Sequence, residues 1–357
     1  MKKNFRTIAK VALVLVYMVI VAGAVVRMTG SGMGCPDWPK CFGYYIPPTE
    51  ASQLEFKTKH SYKEGTIIIK DEALFVASSD FTSTDSYNPS NWEAYTEHDY
   101  AIYNPTHTWV EYINRLIGAL AGIPILIFTV ISFWFWKQNK WITILSIFTV
   151  LGMGFQAWLG KTVVDSNLAP FKITIHMVMA LFIVAAILFV IYAAKTTFKS
   201  QRFYPKFRNV MIVAMTLSFI QIILGTQVRQ YVDEQIKEIG YLKELWLESP
   251  RLNFYIHRTF SIAVFLVNVW LFYLNRKLKL GYTKMNLVML CVIAEISTGI
   301  AMYYFDFPFL SQPLHIVIAS IMIGIQFYIY LESRQRNLQK FEVRSQKSEV
   351  RSNSVIK

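Results

Sequence analysis

The sequence lacks a long polar domain, lacks acid in the loops where its bases gather, and has only three cysteines in 357 residues. Apolar residues make up 54% and aromatics 15%, which argues against a soluble multidomain enzyme. Apolar runs near 8–27, 109–136, 141–160, 173–194, 208–228, 255–275, 284–304 and 313–331 are each long enough to cross a bilayer, since a span takes about 20 residues. Lipid offers the backbone no hydrogen-bond partner, so each run is expected to be a helix. The first is too long for the apolar core of a signal peptide and meets Arg27 at once, so it is read as a retained helix.

A net charge of +13 invites a nucleic-acid reading. Its distribution argues otherwise. Lys2, Lys3 and Arg6 precede span one, and Lys137 and Lys140 separate spans two and three. Lys195, Lys199, Arg202, Lys206 and Arg208 lie between four and five, and Arg276, Lys277, Lys279 and Lys284 between six and seven. Neither Asp nor Glu occurs in these segments, while the alternate loops mix both signs. This is the positive-inside pattern of a multi-pass bacterial inner-membrane protein with both termini cytoplasmic. Membrane lipid, not nucleic acid, is the expected surface for the basic charge.

The expected layout is span one over 1–27, an extracytoplasmic cap over 28–107, spans two to four over 108–195, spans five to eight over 208–331, and a disordered tail over 332–357. An amphipathic interfacial helix suits the acidic loop 229–254. The chain also repeats. EYINR (111–115) returns as FYIHR (254–258), Gly160 and Gly299 each stand sixteen residues before His176 and His315, and Val26-Arg27 is echoed by Val228-Arg229. Gln156, Gln221 and Glu295 each precede a glycine by one turn. The fold class is therefore all-α integral membrane, with spans 1–4 and 5–8 as two four-helix bundles related by a pseudo-twofold axis along the membrane normal.

His176, His257 and His315 lie at membrane-helix ends. One such histidine is ordinarily an interfacial hydrogen-bonding residue. A pair at matching depth on two helices of one bundle suits two axial ligands of a heme iron. Arg258 and Arg115, with Arg27 and Arg229, lie at the depth where guanidinium groups suit heme propionates or lipid phosphates. The first repeat departs from the second: Asn114 replaces His257, and Glu111, three positions earlier on the same face, replaces Phe254. A carboxylate at membrane depth is expensive and points to function. A saturated site beside an open one with an acid reads as electron transfer beside catalysis. Cys35 and Cys41 lie six apart in CPDWPKC, on the side where a disulfide persists. A bridge there is either a plain staple or a strained, redox-active bond.

At VVRMTGSGMGCPDWPKC (25–41), EYINR (111–115), QAWLGKTVVDSNLAP (156–170) with His176, and IHR (256–258) with His315, the chain resembles the heme A synthase family. The resemblance covers nearly the whole chain. It implies oxidation of the C8 methyl of heme O to a formyl group, giving heme A for terminal oxidases. It also implies a heme b cofactor on His257 and His315 beside Arg258, in the second half. The substrate heme goes to the first half, on His176, near Asn114 and Arg115, with Glu111 as the catalytic acid. Cys35 and Cys41 match the subclass with a disulfide here. The family usually has histidine where this chain has Asn114, so the substrate iron is expected on His176 alone, or with His107 two turns outward; His60 and His98 are looser candidates. Implied partners are heme O, a heme O synthase, and a quinone or other acceptor reached through the cysteine pair. The rival readings are a di-heme cytochrome b-type electron carrier, which needs two saturated sites, and a transporter, which calls for broken helices and a polar midplane.

Overall fold

A computed structural model describes residues 2–95, 103–165, 170–196 and 201–355. Among them, eight helices are long and apolar enough to cross a membrane. They are α1 (Lys2–Met28), α2 (Pro105–Ser132), α3 (Lys140–Asp165), α4 (Pro170–Ala193), α5 (Pro205–Ile239), α6 (Leu252–Lys277), α7 (Met285–Tyr304) and α8 (Ser311–Val355). These satisfy the backbone within each span, as hydrocarbon requires, and the chain is a multi-pass integral membrane protein.

Two compact units divide the chain, and their borders are not those of the sequence repeat. One holds Val14–Pro124 and Val150–Ala180; the other holds Met1–Leu13, Ile125–Thr149 and Leu181–Lys357.

In the unit with Val14–Pro124, the segment before α2 folds into a small β structure that the sequence reading left without strands. Its strands are β1 (Ser61–Tyr62), β2 (Ile67–Lys70), β3 (Ala73–Ala77), β4 (Phe81–Thr82) and β5 (Trp92–Ala94). β2, β3 and β5 form one antiparallel sheet, and β1 pairs with β4. The β2–β3 turn puts Asp71 and Glu72 at φ 51° and 59°, the left-handed pair of a tight hairpin. Alternation sends Ile67, Ile69, Leu74 and Val76 toward Cys35, Cys41 and Phe42. Ile68, Phe75, Ala77 and Trp92 face Tyr62 and Tyr87 on the other side. Short strands buried on both faces show little polar alternation, so the periodicity was hidden.

In the other unit, α5 packs on α6 and α8, and α7 on α6 and α8. Phe207, Met211, Ala214, Leu271, Met285, Val288 and Ile329 fill the space between them. Buried Asn268 is satisfied within the bundle: its amide donates to the Val264 carbonyl at 2.8 Å and its Oδ1 accepts from the Gln326 amide at 2.9 Å. The acidic stretch after span five is not a separate interfacial helix; α5 itself runs on to Ile239. Arg229–Asp233 at 2.8 Å and Gln230–Glu234 at 3.0 Å are i,i+4 pairs that carry it outward. Nor is the tail without structure, since α8 continues to Val355. Its start is fixed by buried Glu332, which accepts from Lys284 at 2.8 Å and Gln201 at 3.1 Å. The residues beyond are rich in strong helix formers.

Candidate functional site

His257 on α6 and His315 on α8 come together: their ring centres are 6.3 Å apart and their planes cross at 68°. Gly225 makes the room at His257, while the Gly299 contact at His315 is an ordinary one. A Cβ on Gly225 of α5 would fall 3.1 Å from His257 Cε1, and one on Gly299 of α7 would fall 3.8 Å from His315 Cε1. The amide of Gln221, one turn before Gly225, donates to the His257 carbonyl at 3.0 Å. On α7, Thr298 Oγ1 lies 2.8 Å from His315 Nδ1, and Glu295 Oε2 lies 3.2 Å from the same nitrogen. Arg258 is not drawn inward. It is exposed and stacks over Phe254 and Tyr255, 5.9 and 5.6 Å from their centres.

The corresponding positions of the first repeat behave differently. A Cβ on Gly23 of α1 would lie 3.8 Å from Asn114 Oδ1, the contact that Gly225 makes with His257. Asn114 Oδ1 is buried and has no hydrogen-bond partner among the described residues; the same holds for His176 Nδ1. Gln156 donates to the His176 carbonyl at 2.9 Å. Pairing of a glutamine with a histidine carbonyl thus recurs, on α3–α4 here and on α5–α6 in the other repeat.

Glu111 faces the cysteine loop. It is 4% exposed, its Oε1 accepts from Arg115 at 2.5 Å, and its Oε2 accepts from the Cys35 backbone N–H at 3.0 Å. Arg115 Nη1 also donates to the carbonyls of Asp37 at 2.9 Å and Lys40 at 3.0 Å. The pair therefore clamps both ends of the loop that the Cys35–Cys41 disulfide closes. Thr108 donates to the Gly34 carbonyl at 2.7 Å. Only glycine fits at 34, where a Cβ would fall 2.5 Å from the His107 carbonyl oxygen. Inside the loop, Asp37 accepts from the Phe42 and Gly43 N–H groups at 2.5 and 2.9 Å. Burial nonetheless raises the Asp37 pKa above the ordinary carboxylate value, outweighing those two bonds.

Sequence spacing sets Glu111 toward the pocket of Asn114 and does not join it or Arg115 to the cysteine loop, and it misses Asp37 and Thr108. It also missed Thr298, whose only signal is its i+3 relation to Glu295 on the histidine-facing side of α7. His107 stays in the first turn of α2, its N–H on Asn104 Oδ1 at 3.2 Å. His60 belongs to the β structure, against Tyr62 at 4.8 Å. His98 and residues 166–169 of the third motif lie outside the described residues.

Residues 6–74 and 87–327 match the COX15-CtaA family, described as cytochrome oxidase assembly protein. Among curated relatives, the heme A synthase of Rickettsia conorii is 23% identical, covering 90% of this chain and 95% of its own length. That of Flavobacterium psychrophilum is 25% identical, covering 88% and 93%. With the family matched on both sides of the cap and through all eight membrane helices, the chain belongs to the COX15-CtaA family of cytochrome oxidase assembly proteins.

Proposed function

We propose that this protein is a heme A synthase, an oxidoreductase that converts the C8 methyl of heme O to a formyl group. The observation that carries this reading is the inequality of the repeats. One has two imidazoles 6.3 Å apart, and the other has one imidazole, an asparagine and a carboxylate held on a cysteine loop.

His257 and His315 fit a heme b between them. An imidazole nitrogen about 2 Å from a metal puts its ring centre roughly 3 Å away, so two opposed ligands stand about 6 Å apart. The observed 6.3 Å suits that spacing, and Gly225 leaves the edge of the His257 ring clear. When bound, such a heme supplies one-electron redox chemistry. The chain's part is to hold it on two fixed helices and to keep water from it.

In the first repeat, His176 is the axial ligand for the substrate heme, beside Asn114, Arg115 and, less directly, His107. Asparagine is a poor iron ligand, which leaves one face open. Glu111 is the catalytic carboxylate. From its anchored position it balances positive charge developing at the methyl carbon, or takes a proton from water. Each of two two-electron oxidations takes one oxygen from water and gives up two protons and two electrons, the electrons passing to the quinone-type acceptor. Methyl so becomes alcohol, alcohol becomes geminal diol, and loss of water gives the aldehyde. Arg115 neutralises and orients Glu111, and its bonds to the Asp37 and Lys40 carbonyls transmit any change in the disulfide loop to that carboxylate. This makes Cys35–Cys41 a candidate relay to a quinone-type acceptor. A heme O synthase supplies the substrate. The segments act as spans 1–27, 108–195 and 208–331 with a cap over 28–107, in a bacterial inner membrane with both termini cytoplasmic, as the basic loops require.

The test is acid extraction and chromatography of hemes from the purified protein, produced with and without a heme O source. The expected result is heme B alone without the source, joined by heme O and heme A with it. Heme B alone under both conditions would refute the synthase and leave an electron carrier.

A further inference from the structure

Thr298 and Glu295 have no role in the assignments above, yet both touch the ring of His315. They stand three residues apart on α7 and so share a face. Thr298 Oγ1 lies 2.9 Å from the Ala294 carbonyl and 3.0 Å from that of Glu295. A hydroxyl has one proton to give. With that proton directed at the backbone one turn back, Oγ1 accepts from Nδ1–H of His315 at 2.8 Å. Glu295 Oε2 stands 3.2 Å from the same nitrogen and places a carboxyl oxygen beside it. The Thr298 acceptor, with the Glu295 oxygen beside it, fixes the proton on Nδ1 and leaves the Nε2 lone pair as the one a metal can take.

We propose that Thr298 and Glu295 are positioning residues that act through His315 to lower the reduction potential of the heme held in the second repeat. The proposal rests on the reading of His257 and His315 as its axial ligands. An Nδ1–H donated to an oxygen makes the opposite nitrogen more basic. A more basic ligand stabilises the ferric over the ferrous state, which differ by one electron and no atoms, so the potential falls.

The arrangement is not a by-product of the helix scaffold. His176 occupies the matching place in the first repeat, sixteen residues after its glycine, but Leu159 stands where Thr298 does and Gln156 where Glu295 does. Gln156 turns its amide to the His176 carbonyl, and His176 Nδ1 has no partner among the described residues. His257 Nδ1 likewise has no side-chain acceptor there. Among the described residues, His315 alone of the three axial candidates has its Nδ1 held by side chains.

Spectroelectrochemical titration of the purified protein tests this, with Thr298→Val, Glu295→Gln and the double variant beside the wild type. Valine keeps the shape of threonine and removes the acceptor; glutamine keeps the length and removes the carboxylate. The midpoint is expected to rise in each and most in the double variant, where the ferrous-to-ferric ratio at fixed potential should increase at least tenfold, about 59 mV for one electron. The low-spin bis-imidazole absorption should persist while the ferric electron paramagnetic resonance g values shift. Should valine at 298 release the heme, Glu295→Gln alone decides. A midpoint that stays put or falls, with the low-spin spectrum intact, overturns the proposal. Low-spin absorption that survives His315→Ala would instead refute the ligand assignment, a separate failure.

Discussion

Gly23 stands against Asn114 in one repeat as Gly225 stands against His257 in the other, and in each repeat a glutamine amide caps a histidine carbonyl on the next helix. The helix pattern is shared; the side chains set into it are not. The second repeat gives His315 a threonine and a glutamate, whereas the first gives His176 a leucine and a glutamine. The first spends its carboxylate on Arg115 and the Cys35 N–H instead. One helix pattern thus carries two different sets of side chains around its histidines, and the proposed division into a closed redox site and an open one rests on that difference.

The sharpest way to break that contrast is at Glu111. Glu111→Gln should lower heme A output about 100-fold or more, the range lost with a positioned acid or base, while leaving the bis-imidazole absorption of the other repeat intact. Unchanged heme A in extracted pigment would remove Glu111 from the chemistry. A paired comparison follows at the histidines. His315→Ala should abolish low-spin absorption. His176→Ala should keep it and lose product. If both variants lose the same signal, the repeats do not have separate roles.

The glycines sharpen the comparison further. Gly225→Ala puts a methyl 3.1 Å from His257 Cε1, so that ring must shift. Overpacking of this kind costs about 1–3 kcal/mol, and heme B retained through purification should fall several-fold. Gly23→Ala meets only Asn114 Oδ1 at 3.8 Å, an ordinary contact, and should change pigment content little. Equal losses in both variants would show that the room at Gly225 is not made for the imidazole.

Much of this was legible in the sequence because a membrane leaves few choices. Runs of about 20 apolar residues must be helices, and the two copies of the EYINR-like motif fixed which positions to compare. What stayed hidden depended on contacts between distant segments. That Glu111 reaches Cys35 cannot be read from spacing, since 76 residues separate them. Charge alternation in 229–254 looked like a helix lying on the surface, but its i,i+4 pairs prolong α5. Thr298 was invisible because threonine inside a membrane helix ordinarily bonds its own backbone. Thr298 does this as well, and only its distance to His315 shows the second use.

The smallest expected effect concerns the clamp on the cysteine loop, which the second repeat lacks. Asp37 is buried with its pKa raised above the usual carboxylate value, so folding stabilises its protonated form relative to the unfolded chain. A carboxyl with a raised folded-state pKa contributes most below its unfolded pKa, and that contribution is lost as pH rises through the folded value. The loop should therefore resist proteolysis or reduction of Cys35–Cys41 better at the lower of two pH values that bracket the Asp37 titration, against the usual trend for paired carboxylates. Asp37→Asn removes the titration. It weakens the loop at every pH, because one oxygen that accepted from Gly43 or Phe42 becomes an amide. The slope between the two pH values is then the readout, and it should flatten in the variant. A slope equal to that of the wild type would assign the pH response to other groups and leave Asp37 as a hydrogen-bond acceptor only.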